Sequence, residues 1–186
     1  MSRATGRGDG SVIVGRIALK VEPNLLAELA RGRRIALISA TNGKTTTTRL
    51  IAAALREIGE IATNEHGANM PTGHITALAN NPKALIGVLE TDEKYLPQVL
   101  RETNAVVVVL MNLSRDQMDR ASEINLLAKK WREALAASQA HVVANADDPL
   151  VAWAGLAAPH ATWVAAGQRW KEDSWCCPEC GGHLKR

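Results

Sequence analysis

The chain has 186 residues, of which 46% are hydrophobic, and a formal net charge of +3. This length fits one domain, or one domain with an appendage, and so weak a positive charge argues against a nucleic-acid-binding protein. Aromatic residues make up only 3% and Phe is absent, so the core is expected to consist of Ala, Val, Ile and Leu. Such a core suits a parallel sheet covered by helices.

The two chain ends carry no targeting or disulfide pattern. No apolar run approaches about 18 residues, so we expect no transmembrane helix. Residues 1–10 are polar and Gly-rich, without the hydrophobic segment of a signal peptide, and are expected to form a disordered tail. The three Cys are clustered near the C-terminus and do not form a disulfide framework, which favours a cytoplasmic location.

Residues 11–32 are predicted to lead into the main domain. The segment Ser11–Val21 is moderately apolar and indicates a short strand. A helix is predicted over Asn24–Ala30, because Pro23 is suited to a helix start and Gly32 to a helix end.

The most informative segment combines a strand, a turn and a helix start. The apolar run Ile35–Ile38 predicts a buried strand, Ser39–Gly43 a turn, and Lys44-Thr45 the start of a helix that continues to Leu55. This is the context of a phosphate-binding loop, in which backbone N–H groups and the helix dipole attract an anion. Lys44 is then expected to reach the terminal phosphates, and the Thr45 hydroxyl to bind Mg²⁺.

This loop departs from the standard Walker A pattern. Ile38 stands where that pattern has its first Gly, and a shorter form of the motif fits better except that Ala40 replaces Gly. A methyl group at Ala40 is compatible with the turn if its φ is negative. The alternative is an ordinary strand–turn–helix with an exposed lysine, which the position of Gly43-Lys44-Thr45 disfavours.

The rest of the chain alternates strands with helices. Strands are predicted over Ile61–Asn64, Ala84–Leu89, Ala105–Met111, His141–Ala144 and Ala161–Ala165, and helices from Thr72 or Gly73 to Leu78, over Tyr95–Glu102 and Ser122–Ser138, and from Asp148-Pro149 to Leu156. This alternation indicates an α/β fold with an open, doubly wound, mostly parallel sheet. Ligands of such sheets bind at the carboxyl ends of the strands.

Polar side chains follow three of the predicted strands and would share one edge of a parallel sheet with Lys44. They are Glu90 and Asp92, then Asn112, Asp116 and Asp119, then Asn145, Asp147 and Asp148. Carboxylates near a triphosphate require a hard cation, so Glu90 is predicted to bind Mg²⁺ directly or through water. For Asp147 and Asp148, helix capping and function are equally plausible, and for Asp119 a local ion pair with Arg120 is favoured.

Taken together, four motifs resemble the central ATP-binding domain of the Mur ligase family. They occur in the family's order and are Ala40–Thr46, Glu90, Asn112–Arg120 and Asn145–Pro149. The resemblance spans roughly residues 33–167 and implies a P-loop-like ATP-binding domain over residues 33–170, with ATP and Mg²⁺ as cofactors. It implies that Lys44 and Glu90 are catalytic, that Thr45 and Glu90 hold Mg²⁺, and that the nucleotide contacts Thr41, Asn42, Gly43, Lys44, Thr45, Thr46 and Asn145.

Three features resemble the branch of this family that amidates a carboxylate. They are Thr63-Asn64 followed by Gly67–Met70, Gln117 in place of the usual His, and Cys177-Pro178-Glu179-Cys180. No Lys stands at the spacing of the family's carbamoylated lysine, which also disfavours a standard ligase. This resemblance implies that ATP activates the D-glutamate α-carboxylate of lipid II as an acyl phosphate, which ammonia from a GatD-like glutaminase subunit converts to D-isoglutamine at the inner membrane face.

The C-terminal residues 171–186 carry half of a zinc site. Cys177 and Cys180 have zinc-knuckle spacing, but a structural zinc needs four ligands, and Cys176 is out of phase. His183 is a poor third ligand. For this chain alone, we expect Cys177 and Cys180 to be free thiols. In a longer parent chain, we expect them to begin a zinc ribbon.

Two other functions remain open at the level of sequence. One is a standard Mur or folylpolyglutamate ligase that adds an amino acid, and the other is a non-catalytic nucleotide-binding module. The chain is expected to be a fragment that carries the ATP site and lacks the C-terminal ligase domain.

Overall fold

The computed structural model describes residues 22, 24–64, 68–113, 121–167, 177–180 and 182, and for 121–123 the backbone alone. Several predictions concern residues outside these ranges. They are the tail over 1–10, the strand over 11–21, the motif residues Asp116, Gln117, Asp119 and Cys176, and the candidate zinc ligand His183.

Six helices and six strands alternate along the described chain. The helices are α1 (Leu25–Ala30), α2 (Lys44–Leu55), α3 (Pro71–Asn80), α4 (Leu96–Thr103), α5 (Ala121–Ala136) and α6 (Pro149–Gly155). The strands are β1 (Arg34–Ser39), β2 (Ile61–Thr63), β3 (Ile86–Glu90), β4 (Val107–Leu110), β5 (His141–Asn145) and β6 (His160–Val164). The predicted α/β fold is confirmed, and most boundaries lie within two residues of their predicted positions.

The strands form one parallel sheet in the order β2-β3-β1-β4-β5-β6. Ile38 of β1 is in register with Glu90 of β3, and Ser39 with Leu110 of β4. From β1 the chain moves to one side of the sheet for β2 and β3, then crosses to the other side for β4. The carboxyl end of β1 is therefore the point at which the strand order reverses, where open α/β sheets bind ligands.

Helices cover both faces of the sheet, but unequally. The larger core cluster contains one or more buried residues from each of α1, α3, α4, α5 and α6, such as Leu26, Leu78, Leu100, Trp131 and Val151. The smaller cluster joins Ala52 of α2 to the strand residues Ile38, Ile61 and Val88. Apart from Trp131, both cores are dominated by aliphatic side chains, as the composition predicts.

The predicted start of α3 was wrong. The expected cap was Thr72 or Gly73, whereas α3 begins at Pro71 with Met70 as its N-cap and continues to Asn80. Proline is favoured in the first turn because its φ is already helical and its missing N–H costs nothing there. Among the described residues, no helix is both long and apolar enough to cross a membrane.

Candidate functional site

The turn after β1 leads directly into α2. Gly43 has φ 85° and ψ −1°, a left-handed conformation that glycine adopts without steric cost. Ala40 is fully buried, and Asn104 is the sole non-glycine with positive φ among the described residues, so Ala40 satisfies the condition set by the sequence. The first turn of α2 therefore presents its N–H groups and positive dipole end at the carboxyl edge of the sheet.

Asn112, which follows β4, holds this turn in place. Its side-chain Oδ1 accepts a hydrogen bond from the N–H of Asn42 at 2.9 Å, and its Nδ2 donates to the carbonyl of Asn42 at 3.0 Å. Its backbone carbonyl accepts from the N–H of Thr41 at 2.9 Å. Sequence reasoning placed Asn112 at this edge but missed its contact with the loop, which depends on the pairing of β1 with β4.

The ammonium group of Lys44 lies inside the loop. It donates to the carbonyls of Ala40 and Thr41 and lies 3.4 Å from Oε2 of Glu93, and both side chains of this ion pair are largely buried. Glu93 was not among the predicted site residues. Its backbone carbonyl accepts a hydrogen bond at 2.9 Å from the indole of the buried Trp131 on α5.

Glu90, the last residue of β3, carries a buried carboxylate, one oxygen of which has no partner among the described residues. Glu90 is only 3% exposed, and Oε1 of its carboxylate lies 3.4 Å from Nδ2 of Asn69. Within the described residues, Oε2 has no hydrogen-bond partner, and neither does the buried hydroxyl of Thr48. Burial of an unpaired carboxylate oxygen is costly, so this arrangement fits a bound cation.

A cavity of about 400 Å³ brings Glu90 together with the first turns of α2. Its lining includes Thr45, Thr48, Arg49, Asn64 and Glu90. The structure thus places the two predicted Mg²⁺ ligands, Thr45 and Glu90, on one cavity. No cluster of three or more His, Cys, Asp or Glu occurs in the described ranges, which is compatible with Mg²⁺, since this ion takes few carboxylates and many water and phosphate oxygens.

Two side chains hold the backbone of Glu90. Asn64 accepts from its N–H at 2.8 Å and donates to its carbonyl at 2.7 Å, and Nε2 of His74 lies 2.8 Å from the same carbonyl. Burial lowers the pKa of His74 to about 4, although the contact with the Glu90 carbonyl opposes this shift. His74 is therefore neutral at pH 7, and sequence reasoning overlooked it because it lies among apolar positions of α3.

The polar residues after β5 have mainly structural contacts. Asp148 caps α6 by accepting from the N–H groups of Leu150 and Val151, which confirms capping for this residue, and it also accepts from the N–H of Leu113. Asn145 donates to the carbonyl of Met111 at 2.7 Å. Because β5 is two strands from β1, Asn145 lies about 10 Å across the sheet from the loop, on the same edge.

Cys177 and Cys180 flank a turn in the C-terminal segment. The N–H of Cys177 donates to the carbonyl of Gly182 at 2.7 Å. The pKa of the Cys177 thiol is lowered chiefly by a hydrogen bond from the backbone of Cys180 and, to a smaller extent, by one from the backbone of Glu179. Neither described cysteine is in a disulfide. Stabilisation of a thiolate fits a metal ligand, and these two residues supply half of the four that a structural zinc needs.

Three known proteins illustrate what the chain is similar to. Subunit MurT of the glutamine-hydrolyzing lipid II isoglutaminyl synthase from Staphylococcus aureus (strain COL) is 36% identical, with 99% of this chain and 44% of MurT aligned. MurT of Streptococcus pneumoniae is 33% identical, over 96% of this chain and 43% of that protein. A crystal structure of MurF from Acinetobacter baumannii matches with a TM-score of 0.65 and 15% identity, over 81% of this chain and 34% of MurF.

The match to MurF supports the fold alone, and the chain spans less than half of the length of these relatives. The model of the Mur ligase middle domain matches residues 38–173, which include the loop, Glu90 and every strand after β1. With its phosphate-type loop at the point of strand reversal, the chain belongs to the Mur ligase family and carries its middle domain.

Proposed function

We propose that this chain is the ATP-binding domain of a ligase that forms a carbon–nitrogen bond. One observation carries the proposal: the start of α2, which follows the strand at which the strand order reverses, faces the same cavity as the carboxylate of Glu90, one oxygen of which has no partner among the described residues. An anion-binding helix start beside a buried carboxylate suits a nucleotide phosphate and a divalent cation together.

The residues of the loop and of Glu90 would share the binding of ATP and Mg²⁺. The N–H groups of Gly43–Thr46 and the Lys44 ammonium are proposed to bind phosphate, with Thr45 and Glu90 as magnesium ligands and Asn145 near the adenine. Thr41 and Asn42, whose N–H groups donate to Asn112, would contact the nucleotide through other groups. Bound Mg²⁺ would supply positive charge against the phosphates. Lys44 would add its own charge after exchanging the Ala40 and Thr41 carbonyls for phosphate oxygens.

The activity proposed for the whole protein is amidation of lipid II. ATP would phosphorylate the D-glutamate α-carboxylate to an acyl phosphate, releasing ADP. Ammonia from a glutaminase partner would then displace phosphate, giving D-isoglutamine at the inner membrane face. Support comes from the likeness to two MurT proteins over nearly the whole chain. Gln117 and the Cys177–Cys180 spacing also favour amidation over addition of an amino acid.

The proposed domain organisation assigns residues 33–170 to ATP binding and 171–186 to the start of a zinc ribbon. Cys177 and Cys180 would supply two thiolates, and the other two ligands would come from elsewhere in a longer protein. Zinc content of the full-length protein, measured by mass spectrometry, should fall from about one ion per chain to near zero in Cys177→Ser. Unchanged zinc content would remove Cys177 from the ligand set.

The first test is binding of Mg²⁺-ATP to this chain by calorimetry. Lys44→Ala should weaken binding by about tenfold or more, which is roughly 1.4 kcal/mol. Lys83→Ala is the matched control, since this exposed lysine precedes β3 at the opposite edge of the sheet. Equal affinity of both variants would refute the phosphate-loop assignment.

The second test is formation of D-isoglutamine by the full-length protein with its glutaminase partner, ATP, glutamine and lipid II. The proposal is supported if the wild-type protein forms the amide product and the Lys44→Ala variant does not. Product only with an added amino acid would indicate a standard ligase, and nucleotide binding without any turnover would indicate a non-catalytic module.

A further inference from the structure

We infer that His74 is a positioning residue for the carboxylate of Glu90, although His74 itself neither lines the cavity nor belongs to the phosphate loop. This inference rests on the proposed function, in which Glu90 is a magnesium ligand. Magnesium demands closely defined ligand positions, so a residue that fixes the backbone of Glu90 controls how well its carboxylate is presented.

The backbone of Glu90 is held by side chains at both of its polar groups. Asn64 forms a two-way contact, accepting from the N–H at 2.8 Å and donating to the carbonyl at 2.7 Å. His74 adds a second donor to that carbonyl at 2.8 Å. Since a carbonyl oxygen has two acceptor positions, both are occupied, and Glu90 is fixed at the end of its strand.

His74 reaches Glu90 from the side of the sheet opposite to the cavity. Its helix, α3, packs into the larger core through Ile75 and Leu78. Glu90 alternates along β3 with Leu89 of that core, and shares its face with Val88 of the smaller cluster against α2. The contact therefore acts through the main chain, while the carboxylate extends into the cavity beside Thr45.

The imidazole is poorly suited to a purely structural role. The residue is 0% exposed, and Nδ1 has no hydrogen-bond partner among the described residues. Nε2 must carry the proton because the carbonyl only accepts. An apolar side chain of similar size would avoid burial of an unpaired nitrogen. In the part of the chain that the structure describes, the hydrogen bond to Glu90 is the one polar contact that justifies a histidine here.

The test measures how much Mg²⁺ strengthens ATP binding, as the ratio of calorimetric affinities with Mg²⁺ and with EDTA. His74→Asn and His74→Gln form a matched pair, because the Gln amide reaches the position of Nε2 and the Asn amide does not. His74→Asn should lower the ratio about fivefold or more, His74→Gln should retain most of it, and affinity in EDTA should stay unchanged in both. Ile75→Val controls for a perturbed α3.

Glu90→Gln, measured in parallel, separates the two proposals. If Glu90→Gln leaves the ratio unchanged, the magnesium role of Glu90 fails and this inference with it. If Glu90→Gln abolishes the Mg²⁺ effect while His74→Asn retains the wild-type ratio, only the inference about His74 is overturned. If His74→Asn also loses ATP affinity in EDTA and has a lower melting temperature, His74 has a merely structural role. That result would also overturn the inference about His74.

Discussion

Gly73→Ala is predicted to destabilise the protein, although the same change is favourable in an ordinary helix. A Cβ at Gly73 would lie 1.9 Å from the carbonyl oxygen and 2.7 Å from the carbonyl carbon of Ala68. These are backbone atoms, so the segment before α3 has to move. Helix propensity alone would give a gain of about 1 kcal/mol for alanine over glycine.

The expected net loss is about 2 kcal/mol in the free energy of unfolding. Overpacking of this kind costs about 1–3 kcal/mol. Displacing Ala68 also weakens its hydrogen bond from Asn64, at 2.9 Å, for which about 1 kcal/mol is typical. Together these outweigh the gain in propensity.

Urea unfolding followed by circular dichroism measures this loss, with Gly59→Ala as the control. Gly59 has no atom within 4 Å of its added Cβ and no positive φ, so this variant should be neutral or slightly stabilising. Stability of Gly73→Ala equal to or above wild type would contradict the described packing of α3 on Ala68.

Three further predictions concern charge, capping and pH. Glu93→Gln should raise affinity for Mg²⁺-ATP about threefold in calorimetry, because phosphate no longer competes with the Glu93 carboxylate for Lys44; weaker binding would mean that Glu93 helps to orient Lys44. Asp148→Ala should lower the free energy of urea unfolding by about 1–2 kcal/mol through loss of the α6 cap, and no change would exclude that role. Burial lowers the pKa of His74 from 6.5 to about 4, so His74 binds a proton more readily in the unfolded chain. In EDTA, the free energy of unfolding of the wild type should therefore fall as the pH falls from 6.5 to about 4, by up to about 3 kcal/mol relative to His74→Gln. Parallel pH profiles of the two proteins would contradict this prediction.

The sheet and the strand–turn–helix around Lys44 were predictable because their signals are local. A run such as Ile35–Ile38 is apolar on both faces, as a central parallel strand requires, and Gly43-Lys44-Thr45 follows it at once. The start of α3 was mispredicted because Asn and Gly before Pro71 imply a longer loop, whereas Gly73 is needed inside the helix for its approach to Ala68.

The contacts that position the site were not predictable, because they join residues far apart in the sequence. Asn42 and Asn112 are separated by 70 positions, and Asn64 and Glu90 by 26. Each pair forms only because the strand order brings β1 beside β4 and β2 beside β3. Alternation of strands and helices indicates a parallel sheet but does not fix that order.

The state of Lys44 shows why the loop motif alone does not determine nucleotide affinity. Its ammonium already has two carbonyl acceptors and the Glu93 carboxylate, so under the proposed function a phosphate would have to replace these contacts. Net affinity is then the difference between the two sets of contacts. Glu93 is fixed by Trp131 on α5, a helix that does not line the cavity beside Thr45 and Glu90. The strength of the site is therefore set partly by residues outside the motif, which is why Glu93→Gln is expected to strengthen binding while Lys44→Ala weakens it.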